Sequence, residues 1–181
     1  MSAFANILLV GPMGAGKTSH GKWLARQLGL RFVDLDALIE QNTGASITDI
    51  FDKEGEAGFR RRESQTLASV LADDKQVLST GGGAVLSETN RLLMRDRGLV
   101  IHLHITPEQQ LQRLANDRKR PLLQGSNRAE RLQQLSDVRT PIYRACAHAT
   151  LDLTRLSMSR VRPLLLKTVR EYLNPEELSD A

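Results

Sequence analysis

The stretch Gly11-Pro12-Met13-Gly14-Ala15-Gly16-Lys17-Thr18 constrains this chain more than any other. It follows the apolar run Ile7-Leu8-Leu9-Val10 and opens into a helical pattern near Gly16, so the order is strand, glycine loop, helix. Every fixed position of G-x-x-x-x-G-K-[ST] is met, which a chance glycine turn ahead of a helix would rarely achieve. A loop without bulky side chains offers many backbone donors at once, and Gly11, Gly14 and Gly16 let that backbone approach a triphosphate closely. The helix that follows aims its unpaired N–H groups at the anion. Lys17 can then reach the outer phosphates, and the Thr18 hydroxyl can ligate magnesium. Gly14, Ala15, Gly16, Lys17, Thr18 and Ser19 are therefore the expected ATP-binding set.

Beyond the loop, short apolar runs alternate with helical patterns. Ala5 to Val10, Arg31 to Asp34, Gln76 to Ser79, Leu99 to Ile105 and Ala149 to Leu153 read as strands. The alternation implies an α/β fold, a parallel sheet with helices on both faces. The first helix should stop at Gly29. Residues 37–73 read as helix broken near Thr43-Gly44 and Glu54-Gly55, with Ser46 and Asp49 starting a short helix in an S-x-x-D pattern. Further helices are expected over Glu88 to Arg95, Pro107 to Ala115, Ala129 to Val138, and Met158 to Leu173, the last interrupted early by Pro163. The tail from Asn174 is expected to fray.

Several features carry chemistry. The second strand ends in Asp34-Leu35-Asp36, and carboxylates at the C-terminal end of a strand in such a sheet sit where ligands bind. Arg60, Arg61 and Arg62 spread over most of a helix circumference, so one should face inward and two outward. Thr80-Gly81-Gly82-Gly83 follows the third strand directly. Glycines there cost entropy and pack nothing, which points to a backbone that must come close to something. His102 and His104 share one strand face but lack an evident third ligand, so they read as structural histidines. Residues 116–128 turn polar and basic, the composition of a flap between two helices.

Composition narrows the class. With 181 residues, 40% of them hydrophobic, the chain is expected to form one domain that buries a real core. It shows no signal-peptide pattern and no run of membrane-spanning length, so a cytoplasmic location is expected. The single Cys146 cannot form an internal disulfide and reads as a buried, inert thiol. The net charge of +4 would suit nucleic acid, but aromatics make up only 4% of the chain, too few for a stacking platform. Small anionic ligands account for the arginines equally well.

The loop alone does not choose among motor ATPases, GTP switches and small kinases. An Asn-Lys-x-Asp guanine-reading string and an Asp-x-x-Gly after the third strand are both absent. Phosphoryl transfer to a small acceptor needs magnesium, cations around the moving group, a carboxylate near the attacking hydroxyl, and a lid. All four have candidates. Taken together, Lys17-Thr18, Asp34-Leu35-Asp36, Phe59-Arg60-Arg61, Gly81-Gly82-Gly83, Arg120-Pro121-Leu122-Leu123 and Arg139-Thr140-Pro141-Ile142-Tyr143 resemble the shikimate kinase family, in the correct order over residues 5–170.

That resemblance implies a fold like the nucleoside monophosphate kinases, a five-stranded parallel sheet of order 2-3-1-4-5. It places a substrate-binding helical region over residues 35–62 and a lid over 114–128. It implies that ATP phosphorylates the 3-hydroxyl of shikimate, a step toward chorismate and the aromatic amino acids. Arg60 and Arg139 resemble the family's pair for the substrate carboxylate, a task suited to guanidinium forks. Asp36 resembles the residue that binds ring hydroxyls and takes the attacking proton. Gly82 resembles the backbone donor to substrate, with Gly81 and Gly83 shaping the approach. Asp34 resembles the carboxylate that holds Mg2+ beside Thr18. Arg120 resembles the lid arginine near the transferring phosphates, and Arg113 the one that stacks on adenine. The stretch Thr154 to Arg160, which should border adenine, carries no recognisable motif. ATP and shikimate are the expected partners, with no nucleic acid or membrane, and the chain is expected to act as a monomer. Three rivals remain open: a gluconate kinase of the same fold, a regulatory nucleotide-binding module without kinase activity, and a basic nucleic-acid binder.

Overall fold

The computed structural model describes residues 6–115 and 127–173. Strand β1, Asn6–Val10, is buried along its whole length at the centre of the sheet. It is followed by α1, Lys17–Leu28, then β2, Arg31–Asp34, α2, Leu35–Thr43, and α3, Ile47–Val70. Next come β3, Gln76–Ser79, a 3-10 turn over Ala84–Leu86, α4, Glu88–Arg97, and β4, Gly98–His104. The described chain closes with α5, Pro107–Arg113, α6, Arg128–Cys146, β5, Ala149–Asp152, and α7, Met158–Leu173. The five strands are parallel and ordered β2-β3-β1-β4-β5, as the resemblance implies.

The sheet is covered on both faces, which is why its strands are apolar without alternation. Ile7 and Leu9 of β1 pack with Leu24 of α1 and with Leu165 and Val169 of α7. Leu8 and Val10 face the other layer, where Ile39, Phe59, Leu67, Met94 and Tyr143 arrive from α2, α3, α4 and α6. Each fully buried leucine there contributes about 1.5–3 kcal/mol relative to an exposed one. The central strand is thereby fixed from both sides, and so is the loop that leaves it.

The breaks in the helical region fall at glycines. Gly44 ends α2 in the left-handed region, and Gly55, with φ 68° and ψ −179°, kinks α3. Ser46 and Asp49 form the reciprocal cap anticipated from their spacing, each bonding the other's backbone N–H. Prolines behave differently from expectation. Helix α6 does not end at Val138 but runs through Arg139–Tyr143 to Cys146 with Pro141 inside it. Leu132, Arg139, Tyr143 and Cys146 are its buried residues, at helical spacing, so tertiary burial outweighs the lost backbone bond. The carbonyl that Pro141 leaves unbonded belongs to Asp137, which is exposed to water. Likewise α7 continues unbroken past Pro163, with Val161, Leu165 and Val169 buried along one face.

One consequence positions the site. β1, β2 and β3 run in the same direction, so Gly11, Asp34 and Thr80 emerge at one edge of the sheet.

Candidate active site

The glycine loop connects β1 to α1 with Gly16 as the helix N-cap at φ 84°, a conformation that a side chain would strain. Lys17 folds back across the loop, its Nζ donating to the carbonyls of Gly11 at 2.8 Å and Pro12 at 2.9 Å. Arg113, the last residue of α5, donates to the Gly14 carbonyl at 3.0 Å, so it lies on the loop from the opposite side. Ala15 is buried within the loop, while Ser19 lies exposed in the first turn of α1. His20, one turn into α1, packs its ring against Gly16, and burial together with Arg162 and Arg113 keeps its pKa below the usual histidine value.

Beside the loop, three oxygens gather. The Thr18 hydroxyl donates to Asp34 Oδ2 at 2.6 Å and lies 3.3 Å from the Ser79 hydroxyl. Asp34 is held in turn by its other oxygen, which accepts from the Ala37 N–H at 3.2 Å and caps α2. Ser79 is the register partner of Asp34 on the neighbouring strand. Sequence reasoning overlooked it. The available signal was its place as the last residue of the strand that feeds the glycine triplet. Two hydroxyls and one carboxylate are hard donors of the kind magnesium takes, and magnesium fills its shell with water and phosphate oxygens. The set fits that ion. Among the described residues no three His, Cys, Asp or Glu side chains cluster for a metal, and His102 and His104 form no such group.

A second constellation faces the loop across the sheet edge. Asp36 lies in the first turn of α2, Arg60 and Glu63 on α3, Arg139 and Tyr143 on α6. They converge on Gly81, Gly82 and Gly83. A Cβ on Gly81 would lie 2.6 Å from Glu63 Oε1 and 2.8 Å from Asp36 Oδ1. On Gly82 it would meet the Tyr143 hydroxyl at 3.5 Å and the Arg139 guanidinium at 3.6 Å. On Gly83 it would overlap the Arg60 guanidinium, 2.2 Å away. Gly81 and Gly83 are glycine because side chains already occupy the space a Cβ would take, whereas a Cβ on Gly82 would make only ordinary contacts. Tyr143 also donates its hydroxyl to the Gly82 carbonyl.

Charge in this constellation is balanced by burial. Arg60 pairs with Glu63 at 2.6 Å and with Glu56 at 3.2 Å. Burial works against its charge, but the two carboxylates outweigh it and raise its pKa above the usual arginine value. Glu63, with no exposed side-chain surface, is pushed the other way: burial raises its pKa more than Arg60 lowers it. Burial also pushes Tyr143 up to about 12, keeping its hydroxyl a donor. Of the three consecutive arginines only Arg60 turns inward. Arg61 is exposed, and Arg62 holds Glu54 at 2.7 Å on the surface. The buried position of Glu63 between Arg60 and Asp36 has no signal in one dimension. Arg120 and most of the anticipated lid lie outside the described residues. Cys146 is buried with its thiol pKa raised by desolvation, an inert thiol as anticipated.

A phosphate loop on one side and a carboxylate, two guanidiniums and bare backbone on the other are the parts of a P-loop kinase with a small acceptor. The fold is shared with a gluconokinase from Sinorhizobium meliloti, at 16% identity, TM-score 0.61 and full coverage of both chains. Much nearer is a structure of shikimate kinase from Acinetobacter baumannii in complex with shikimate: 43% identity, TM-score 0.89, covering 97% of this chain and 96% of that one. The shikimate kinase family model matches residues 13–173. Shikimate kinase from Actinobacillus pleuropneumoniae serotype 5b is 45% identical over 169 residues, 93% of this chain and 98% of that protein. The protein of that name from Methylococcus capsulatus is 49% identical over 161 residues, 88% and 90% of the two chains. This chain belongs to the shikimate kinase family.

Proposed function

We infer that this enzyme transfers the γ-phosphoryl group of ATP to the 3-hydroxyl of shikimate, giving shikimate 3-phosphate and ADP on the route to chorismate. The observation that carries the reading is the convergence of Asp36, Arg60 and Arg139 on the glycine triplet, facing the loop that ends in Lys17-Thr18. Shikimate offers a carboxylate and three ring hydroxyls. Arg60 and Arg139 fork the carboxylate, and the Gly82 backbone adds a donor between them. Asp36 orients the ring hydroxyls and accepts the proton of the 3-hydroxyl as its oxygen bonds to the γ-phosphorus and the bond to the ADP oxygen breaks.

On the donor side, backbone N–H groups from Gly14 to Ser19 cradle the phosphates. Lys17 exchanges the Gly11 and Pro12 carbonyls for phosphate oxygens, and Arg120 reaches the transferring group from the lid, proposed over residues 114–128. Arg113, already seated on Gly14, flanks the adenine. Thr18, Asp34 and Ser79 would hold Mg2+, which supplies charge neutralisation at the outer phosphates when bound. Residues 35–62 form the substrate-binding region of a single kinase domain, working as a cytoplasmic monomer without nucleic acid or membrane partners. No helix of the described residues is long and apolar enough to cross a membrane.

A coupled assay of ADP release tests the reading. Shikimate should stimulate release strongly, gluconate should not, and 31P NMR should find the new phosphoester on the 3-oxygen. Release stimulated by gluconate alone, or by neither acceptor, overturns it.

A further inference from the structure

The kink in α3 sets a further carboxylate beside the acceptor half. Gly55, at φ 68° and ψ −179°, interrupts the helix, so Glu56 opens the segment that carries Arg60 one turn later. The Glu56 carboxylate accepts from Arg60 Nη2 at 3.2 Å, an i,i+4 pair with the acid on the favoured N-terminal side. Arg60 is its one hydrogen-bond partner among the described residues. Glu54, on the far side of the kink, is held by Arg62 through both oxygens and cannot take that place.

Arg60 has little room left. Its planar face lies on Gly83, where a Cβ would overlap Cζ and both terminal nitrogens, and its Nε is buried without a partner. A guanidinium forks a carboxylate along one of two edges, Nε with Nη2 or Nη1 with Nη2. Enclosure of Nε leaves the second edge, and two carboxylates already share it: Glu63 on Nη1 at 2.6 Å and Glu56 on Nη2 at 3.2 Å. An acceptor carboxylate would put three anions on one cation, so one of the residents has to leave. Glu63 has no exposed side-chain surface, whereas the Glu56 side chain is 50% exposed. Glu56 can therefore exchange Arg60 for water at little cost, and Glu63 cannot.

We propose that Glu56 sets the affinity of the acceptor site from within: it holds Arg60 Nη2 in place of the acceptor's carboxylate and is displaced when that carboxylate binds. This rests on the reading of Arg60 as one arm of the carboxylate site. The effect of Glu56 is to weaken binding, the opposite of what a residue that merely steadies Arg60 would do. It acts on both sides of the reaction, because the phosphorylated product keeps the same carboxylate. Return of Glu56 to Arg60 then favours departure of the product.

Calorimetry on Glu56→Gln, which keeps the shape and removes the charge, tests this. The Kd for shikimate should fall about threefold, the size of a half-exposed ion pair. The inhibition constant of shikimate 3-phosphate should fall by a like factor, while the KM for ATP stays within about twofold. Shikimate methyl ester has no carboxylate to displace Glu56, so its affinity should be the same in wild type and variant. Glu56→Asp, charged but one methylene shorter, should fall between the two, and it carries the test alone if Glu56→Gln does not fold. An unchanged shikimate Kd overturns the proposal. A raised Kd overturns it too, since Glu56 would then be holding Arg60 ready for the substrate, as does a tightening shared by the methyl ester. Wild-type protein that neither binds nor phosphorylates shikimate would instead sink the functional reading itself, so the two failures are distinct.

Discussion

The two halves of the site are built by opposite strategies. The donor half is nearly contiguous: Gly11 to Ser19 form one loop and one helix start, and among the described residues only Asp34, Ser79 and Arg113 come from elsewhere. The acceptor half has no such nucleus. Asp36, Arg60, Glu63, Arg139 and Tyr143 arrive from three helices and meet only because each is docked on the same face of the sheet around Gly81 to Gly83. Phosphate recognition is therefore local chemistry, repeatable in any fold with a strand, a glycine turn and a helix. Acceptor recognition is a product of tertiary packing. It follows that substitutions in the acceptor half should separate shikimate from ATP, and the separation can be measured.

The largest effect is expected at Asp36. A positioned carboxylate acting as base contributes a factor of about 10² to 10⁴. Asp36→Asn should lower kcat by that range while the protein still binds ATP with wild-type affinity and retains shikimate binding by calorimetry. An Asp36→Asn enzyme with near-normal turnover would mean that the proton leaves by another path, and the acceptor half would shrink to a binding surface.

A smaller but sharper effect is expected at Gly83. The added methyl of Gly83→Ala falls on the Arg60 guanidinium, which must then leave its place between Glu63 and Glu56. Losing one charge-assisted contact costs about 1.5–3 kcal/mol, or 10- to 100-fold in affinity. The shikimate KM should rise by that factor, with the ATP KM unchanged. If both rise together, the two halves are not mechanically separate.

The same contrast explains what could be read from one dimension. Gly11 to Thr18 announced its strand, turn and helix because every residue it needs is adjacent. The glycine breaks at Gly44 and Gly55 and the cap at Ser46 were legible for the same reason. Arg60, Arg139 and the glycine triplet could be assigned only through family resemblance, since nothing local tells which of three arginines turns inward. Ser79 and Glu63 were passed over because their meaning lies in partners 61 residues away for Ser79 and on another helix for Glu63. Pro141 and Pro163 misled for a related reason. Their local cost is real, but the burial of Tyr143 and Leu165 that opposes it is decided by the whole fold.

His102 lies where the two halves touch. On β4 it packs beneath Gly11, and its ring stacks on Tyr143 at 5.1 Å, the residue whose hydroxyl holds the Gly82 carbonyl. It is fully buried. Burial, aided by the charges of His104, Arg144 and Lys17, lowers its pKa from 6.5 to about 3. Between those values the unfolded chain binds a proton that the folded chain refuses, so stability falls as pH drops through that window. One such group changes stability by at most about 1.4 kcal/mol per pH unit. His102→Phe keeps the stack and cannot titrate. At pH 7, where the imidazole is neutral in both states, its kcat and both KM values should stay within about twofold of wild type. In urea titrations from pH 7 to pH 4, its stability should decline less steeply than that of wild type, the gap widening below pH 6. Parallel declines would show that His102 carries no share of the acid sensitivity. A loss of shikimate affinity at pH 7 would show instead that the imidazole, and not merely its shape, sets Tyr143 against Gly82.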